Sequence, residues 1–233
     1  MQSKWLPDPY IDAVTTTGFK GDQAFALSGE DQSRLLLQIT AAIKEARRAG
    51  GAEVLAAISV GLPSETDPSA VVAASRRSDE AWFCFEQPDR ERAALAALGC
   101  ARLIEAAGAD RFAQAASIWN GLARSAHYDG ADGILGGGPV AVGGFAFADD
   151  GGKAPQWSGF APASLIVPEL SISRRGRDVS MTLSAVVTAD DDALQVAERL
   201  AARAAALQNR PLAMLDPDPV SYTHLTLPTN REV

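Results

Sequence analysis

The sequence has very few of the residues that usually build disulfide or metal sites. Its 233 residues include two cysteines and two histidines. Cys84 and Cys100 lie in apolar surroundings without CxxC spacing, which favours reduced, buried thiols over a disulfide framework or a zinc site. We therefore expect no metal centre built from these residues.

Basic residues are also scarce. Lys and Arg number 21 against 29 Asp and Glu, which gives a formal net charge of -8. This balance argues against nucleic acid and against an anionic membrane as partners, because both attract a basic surface. No apolar run approaches the length that spans a bilayer, and the N-terminal MQSKWLPDPY lacks the apolar core of a secretory signal. A cytoplasmic location is expected.

Several motifs of known chemistry are missing. The glycine-rich GGGPVAVGG (136–144) is not followed by Lys-Ser or Lys-Thr and has no GxGxxG register, which favours close packing of a strand over a phosphate loop. The chain has neither a GxSxG elbow nor HExxH. His127 is expected at a helix C-terminus, where a positive charge interacts favourably with the helix dipole. RRGR (174–177) is expected at a solvated hairpin tip, and Glu86 at an exposed strand end.

Local patterns predict both helices and strands. A helix is predicted after Ser28, because acids follow this capping residue, apolar residues recur at helical spacing and Gly50–Gly51 ends the pattern. A second helix is predicted to begin at Asp67, which precedes Pro68. Two further helices are predicted over ADRFAQAASIWNGLARSAH, with Asp110 as cap and Phe112, Ala115, Trp119, Leu122 and Ala126 on one face, and over DDDALQVAERLAARAAAL. Strands are predicted over EVLAAISV, EAWFCFEQPD, PVAVGGFAF, ASLIVPELSIS and DVSMTLSAVV. The segment RAALAALGCARLIEA is compatible with either a helix or a strand.

The fold class follows from how these elements alternate. The last two predicted strands are joined by RRGR, a hairpin signature. A hairpin argues against a purely parallel α/β sheet, so we predict an α+β fold with a substantial antiparallel or mixed sheet flanked by helices.

Four segments together resemble the N-terminal half of the isochorismate synthases. They are FCFEQPDRERAALAALGCARLIEA, DRFAQAASIWNGL, GGGPVAVGGFAFADD and PQWSGFAPASLIVPELSISRRGRDVSMTL. The isochorismate synthases belong to the chorismate-utilising family, with the anthranilate, aminodeoxychorismate and salicylate synthases. The resemblance covers roughly residues 53–219 and is most specific at the Glu-Gln-Pro-Asp and GGFAF segments.

The resemblance implies a sandwich of two large sheets flanked by helices, of which this chain would hold an incomplete part. It also implies conversion of chorismate to isochorismate, for menaquinone or siderophore biosynthesis. In the complete enzyme a base activates water, an acid helps the displaced hydroxyl leave, and Mg²⁺ holds the substrate carboxylate.

The family's base lysine, acid glutamate and metal-binding glutamates lie in the C-terminal half and have no counterpart here. No residue is therefore assigned a catalytic, cofactor-binding or metal-binding role. In particular, neither Lys153 nor Glu169 is given the role of a missing catalytic group. We expect this chain alone to be inactive and to bind no Mg²⁺, with chorismate a ligand of the complete enzyme only.

Two other interpretations stay open. The chain could derive from an aminating relative, an anthranilate or aminodeoxychorismate synthase, which takes ammonia from a glutamine amidotransferase. No LLES-like motif of the tryptophan-regulated members is found near the N-terminus, and no amidotransferase partner is expected. Alternatively, the chain could be a binding module that carries no catalysis.

We divide the chain into three regions. Residues 1–50 form a weakly assigned lead-in with the first helix, and residues 51–219 form the N-terminal half of the chorismate-binding fold. Residues 220–233 resemble a translated sequencing-library adapter, because VSYTHLTLPT matches an adapter reading frame codon by codon. A truncated gene with a non-native tail is expected, so that Tyr222 and His224 need no function.

Overall fold

The computed structural model describes residues 24–130, 137–152, 155–157 and 159–211. The helices are α1 (Gly29–Arg48), α2 (Pro68–Ser75), α3 (Arg111–Arg124) and α4 (Ala193–Ala205), with a short 3-10 turn at Pro155–Trp157. The strands are β1 (Val54–Leu62), β2 (Trp82–Gln87), β3 (Ala93–Leu98), β4 (Arg102–Ala106), β5 (His127–Asp129), β6 (Val142–Phe145), β7 (Ala163–Val167), β8 (Leu170–Arg175) and β9 (Asp178–Val187).

The larger sheet has six strands in the order β2-β3-β8-β9-β1-β5. Its neighbouring strands are antiparallel except β1 and β5, which pair in parallel with Ala57 opposite Tyr128. The β8–β9 hairpin turns at Gly176, which has a φ of 62°, a left-handed value that glycine adopts without strain. The predicted α+β class, with a mixed sheet flanked by helices, is confirmed.

The main core lies on one face of this sheet, beneath α1, α2 and α4. Leu35 and Ile39 of α1 and Leu200 of α4 are completely buried there, which stabilises the fold by about 1.5–3 kcal/mol for each such side chain. Ser28 caps α1, Asp67 caps α2 and Asp192 caps α4, each by accepting backbone N–H hydrogen bonds. The caps predicted at Ser28 and Asp67 are therefore confirmed, and the cap of α4 is one of the three acids with which its predicted segment begins.

A second, smaller core lies on the opposite face of β1. Its buried residues are Leu55, Ile104, Ala106, Ala115, Leu122, Ala163 and Val167. They come from β1, α3 and a three-stranded antiparallel sheet with the order β4-β7-β6. Because β1 is covered on both faces, Val54–Ile58 is continuously buried, which explains the unbroken apolar run in the sequence.

The ambiguous segment RAALAALGCARLIEA forms two strands of different sheets. β3 pairs with β2 and β8, whereas β4 pairs with β7. Gly99 separates them with a φ of 75°, and its backbone lies so close to Glu169 that a Cβ would come within 2.9 Å of the carboxylate. The chain therefore leaves one sheet and enters the other at a glycine.

Helix α3 differs from its prediction in two respects. Asp110 stands at the N-cap position but makes no side-chain capping hydrogen bond. Phe112 is half-exposed, although Ala115 and Leu122 of the same predicted face are buried. Phe112 instead stacks on Phe145 of β6 with ring centroids 4.7 Å apart.

Among the described residues, the helices are too short or too polar to cross a bilayer.

Candidate functional site

A pocket of about 600 Å³ lies beside the small sheet, at the end of β6. Its walls are the aromatic side chains of Phe145, Phe147, Trp157 and Phe160, together with alanine and glycine backbone. Trp157 and Phe160 meet edge to face, with ring centroids 6.1 Å apart. Among the described residues that line the pocket, none carries an ionisable side chain. The pocket is therefore suited to binding apolar surface rather than to acid–base chemistry.

Glycines allow the backbone to form this pocket. A Cβ on Gly143 would lie 2.1 Å from the carbonyl oxygen of Ser164, so only glycine allows β6 to approach β7 so closely. A Cβ on Gly152 would lie 2.7 Å from the Trp157 indole. The close approach to another backbone that was predicted for GGGPVAVGG is confirmed at Gly143.

Arg111 holds the segment that follows β6. Its side chain is 3% exposed and donates hydrogen bonds to the carbonyl oxygens of Ala146 at 2.9 Å and Phe147 at 3.0 Å. It also forms an ion pair with Asp149 and donates to the carbonyl of Gly108 at 3.1 Å. One guanidinium group thus fixes the backbone of the pocket wall at Ala146 and Phe147 and also pairs with Asp149, which is not among the lining residues.

A polar network lies at the β5 edge of the larger sheet, near the ends of the parallel strands β1 and β5. Arg34 donates from Nε and Nη2 to the two carboxylate oxygens of Asp129, at 2.9 and 3.1 Å. The Ser59 hydroxyl lies 3.1 Å from the Tyr128 hydroxyl and 2.7 Å from that of Thr182. The hydrogen bonds from Arg34 hold the pKa of Asp129 below its usual range. These groups satisfy one another, so the network connects α1, β1, β5 and β9.

The two cysteines differ from their prediction in burial. Both are free, as expected, but Cys84 is half-buried and Cys100 is exposed. Cys84 lies on the outermost strand β2 and Cys100 just beyond the end of β3, so neither reaches the centre of the core. Desolvation raises the pKa of the Cys84 thiol, which makes it a poor nucleophile at neutral pH.

His127 is not at a helix C-terminus. α3 ends at Arg124, and His127 opens β5, where it pairs with Ala56 of β1. The helical pattern of the sequence extends past the true end of α3, because Ala126 still packs against the second core. The proposed interaction of His127 with the helix dipole is therefore wrong.

The RRGR hairpin is only partly solvated. Arg174 is 8% exposed and donates from Nε to the carbonyl of Arg92 at 3.0 Å. Arg175 is exposed and forms an ion pair with Glu91. These contacts fix the tip of the β8–β9 hairpin to the tip of the β2–β3 hairpin. The predicted exposure of RRGR to solvent is therefore wrong at Arg174.

Of the other acids and bases considered from the sequence, those that the structure describes do not form a common site. Glu86 is exposed, as predicted, and Glu169 forms an ion pair with Arg199. Lys153, Tyr222 and His224 lie outside the described residues. Within the described part of the chain, no group of three or more His, Cys, Asp or Glu side chains is placed to hold a metal ion.

A protein-family model described as chorismate binding enzyme matches residues 41–231. The chain belongs to the chorismate-binding enzyme family. The match begins within α1 and covers most of the chain. It agrees with the family resemblance predicted from the sequence.

Among solved structures, this chain is similar to MenF, the menaquinone-specific isochorismate synthase from Escherichia coli. The identity is 16% and the TM-score is 0.44. The match covers 75% of this chain and 35% of the MenF chain, so this chain spans about a third of that protein. A search of the curated proteins found no match.

Among the described residues of this chain, no group of three or more acidic, histidine or cysteine side chains is placed to hold a magnesium ion. Neither the aromatic pocket nor the role of Arg111 was predicted from the sequence. The aromatic residues lie in an irregular segment without periodicity, and Arg111 looked like an ordinary surface residue at the start of a helix. Only the concentration of Phe and Trp between 145 and 160 could have indicated the pocket.

Proposed function

We propose that this chain is part of an isochorismate synthase, which converts chorismate to isochorismate. The observation that carries the proposal is the match of the chorismate-binding family to residues 41–231. The resemblance of the segments around Glu-Gln-Pro-Asp and GGFAF to isochorismate synthases supports this reaction over the other reactions of the family. The enzyme would act in the cytoplasm on a small dianion, without an amidotransferase partner.

In this proposal the described residues supply the scaffold and not the chemistry. Hydration of one ring carbon with loss of a hydroxyl from another requires a base for the water and an acid for the leaving hydroxyl. The aromatic pocket has no ionisable side chain among its described lining residues, and the acids Asp129, Glu80 and Asp149 are each paired with an arginine. We therefore place the base, the acid and any metal ligands outside the described residues.

The test compares two proteins. The first is the chain of 233 residues, and the second is the product of the source gene, re-sequenced across the codons for Pro219 and Val220 by an unrelated method and expressed in its full reading frame. Each is incubated with chorismate and Mg²⁺, with and without ammonium, and the products are separated by chromatography. We expect isochorismate from the second protein and no turnover by the first.

Other outcomes identify the alternatives. Ammonium-dependent formation of anthranilate or aminodeoxychorismate would identify an aminating enzyme. Turnover by the chain of 233 residues would show that its own residues carry the chemistry. A source gene that encodes residues 220–233 as given and then stops would refute the adapter interpretation and favour a binding module without catalysis.

A further inference from the structure

The described lining of the aromatic pocket does not suit the substrate of the proposed reaction. Chorismate is a dianion, and a site for it needs cations directed into it. Among the described residues that line the pocket, the polar side chains are limited to Ser164 and the Trp157 indole. Arg111 lies nearby, but its guanidinium is committed to Ala146, Phe147 and Asp149.

We infer that this pocket is a binding site for an uncharged, planar aromatic small molecule, separate from the site of chorismate chemistry. Its volume of about 600 Å³ lies within the roughly 300–1,000 Å³ that is usual for small-molecule sites. Trp157 and Phe160 form an edge-to-face pair, which leaves aromatic surface open to stack with a third ring.

The position of Arg111 supports a built pocket rather than an incidental depression. Arg111 is the first residue of α3, where a positive charge is unfavourable because the helix dipole is also positive at that end. The compensating acid is Asp149, which follows β6 and does not belong to α3, and Asp110 makes no capping hydrogen bond. The buried guanidinium therefore stabilises the segment after β6, through the carbonyl groups of Ala146 and Phe147 and the carboxylate of Asp149. Arg111 is a positioning residue of this site.

The opposite wall is fixed by Gly152. The Trp157 indole packs directly on its backbone, with no room for a Cβ. Gly144 also lines the pocket, but a Cβ at that position would have no atom within 4 Å. A larger side chain at Gly144 would therefore extend into the cavity without displacing the backbone.

The experiment measures binding of N-phenyl-naphthylamine, an uncharged dye that fluoresces in apolar surroundings, to the full chain in the absence of chorismate. Its matched probe is anilinonaphthalene sulfonate, which has the same rings and a negative charge. We expect saturable binding of one uncharged dye per chain, and binding of the sulfonate that is at least about tenfold weaker, which is about 1.4 kcal/mol.

Variants then locate the site. Gly144→Leu should fill the pocket and abolish dye binding, whereas Gly61→Leu, at an exposed strand glycine with open space around its Cβ, should leave it unchanged. Arg111→Lys keeps the charge but loses the paired carbonyl contacts, and should weaken binding by about tenfold or more. Circular dichroism and size-exclusion chromatography confirm that each variant is folded before it is scored.

Equal dye affinity in the Gly144→Leu and unsubstituted chains would refute the assignment, as would tighter binding of the sulfonate. Failure of the folded chain to bind the uncharged dye would also refute it. None of these results depends on isochorismate synthesis, because no measurement includes chorismate turnover.

Discussion

Arg203 of α4 donates from Nη2 to both carboxylate oxygens of Glu80, at 2.9 and 2.7 Å. The two side chains are only 5% and 11% exposed. The same nitrogen also donates to the carbonyl of Ser75 at the end of α2. This buried pair therefore joins the last helix to the segment between α2 and β2.

Replacing Glu80 with Gln should strongly destabilise the fold. The change leaves the guanidinium of Arg203 buried without a counter-charge, which typically costs about 3–5 kcal/mol. Urea unfolding followed by circular dichroism measures the loss. Glu198→Gln, at an exposed acid of the same helix, is the control and should change the free energy of unfolding by less than about 0.5 kcal/mol. Equal effects of the two variants would contradict the prediction.

Asp129 should make part of the stability of the fold dependent on acidic pH. Arg34 lowers the pKa of Asp129 in the folded state, below its value of about 3.9 in unfolded chains. The stabilisation is therefore fully present above about pH 4 and is lost as the pH falls through the folded pKa, because the unfolded chain takes up the proton first.

Asp129→Asn tests this dependence. The difference in unfolding free energy between the unsubstituted chain and the variant should be constant from neutral pH down to about pH 4 and shrink below it. Added salt should reduce the difference, since Asp129 is partly exposed. A difference that grows below about pH 4 would show that the ion pair is not its source.

Gly143→Ala should separate β6 from β7. The added Cβ would meet the carbonyl oxygen of Ser164 at 2.1 Å, and a backbone atom cannot rotate away. We expect a loss of about 1–3 kcal/mol and faster hydrogen exchange in β6. Gly144→Ala is the matched control, because its Cβ has open space. Slow exchange of β6 in both variants would refute the prediction.

Phe147→Ser should increase the solubility of the chain without reducing its stability. The side chain is fully exposed and lines the same pocket as the exposed rings of Trp157 and Phe160, so it contributes to an apolar surface prone to association. Light scattering at increasing protein concentration tests this. Leu37→Ser, at an exposed leucine of α1, should have a smaller effect. Unchanged scattering would mean that this surface does not drive association.

The sequence was sufficient to predict most of the helices, because their signals are local. Ser28, Asp67 and Asp192 each bond backbone N–H groups within three residues. The same holds for the β8–β9 hairpin, whose turn at Gly176 is contained in four residues. Such elements require no knowledge of distant contacts.

The assignments that stayed open or were wrong depend on tertiary contacts. The order of alanine and leucine in RAALAALGCARLIEA suits either a helix or a strand. Its two strands are stabilised by distant partners in β7 and β8. Arg111 and Arg174 look like surface arginines until the carbonyl groups that they bond are brought beside them. The candidate pocket could not be predicted for the same reason, since its walls meet only after β6 and β7 have paired.

The pairing of β1 with β9 has a consequence for synthesis of the protein. Val54 is opposite Val187 and Leu62 is opposite Val179, so the central strand must remain without this partner while all of the intervening chain leaves the ribosome. Loop closure over such a separation is slow. The α1–β1 unit therefore keeps an open, apolar strand edge until β9 has been synthesised, and in this interval the nascent chain is most prone to associate through that edge.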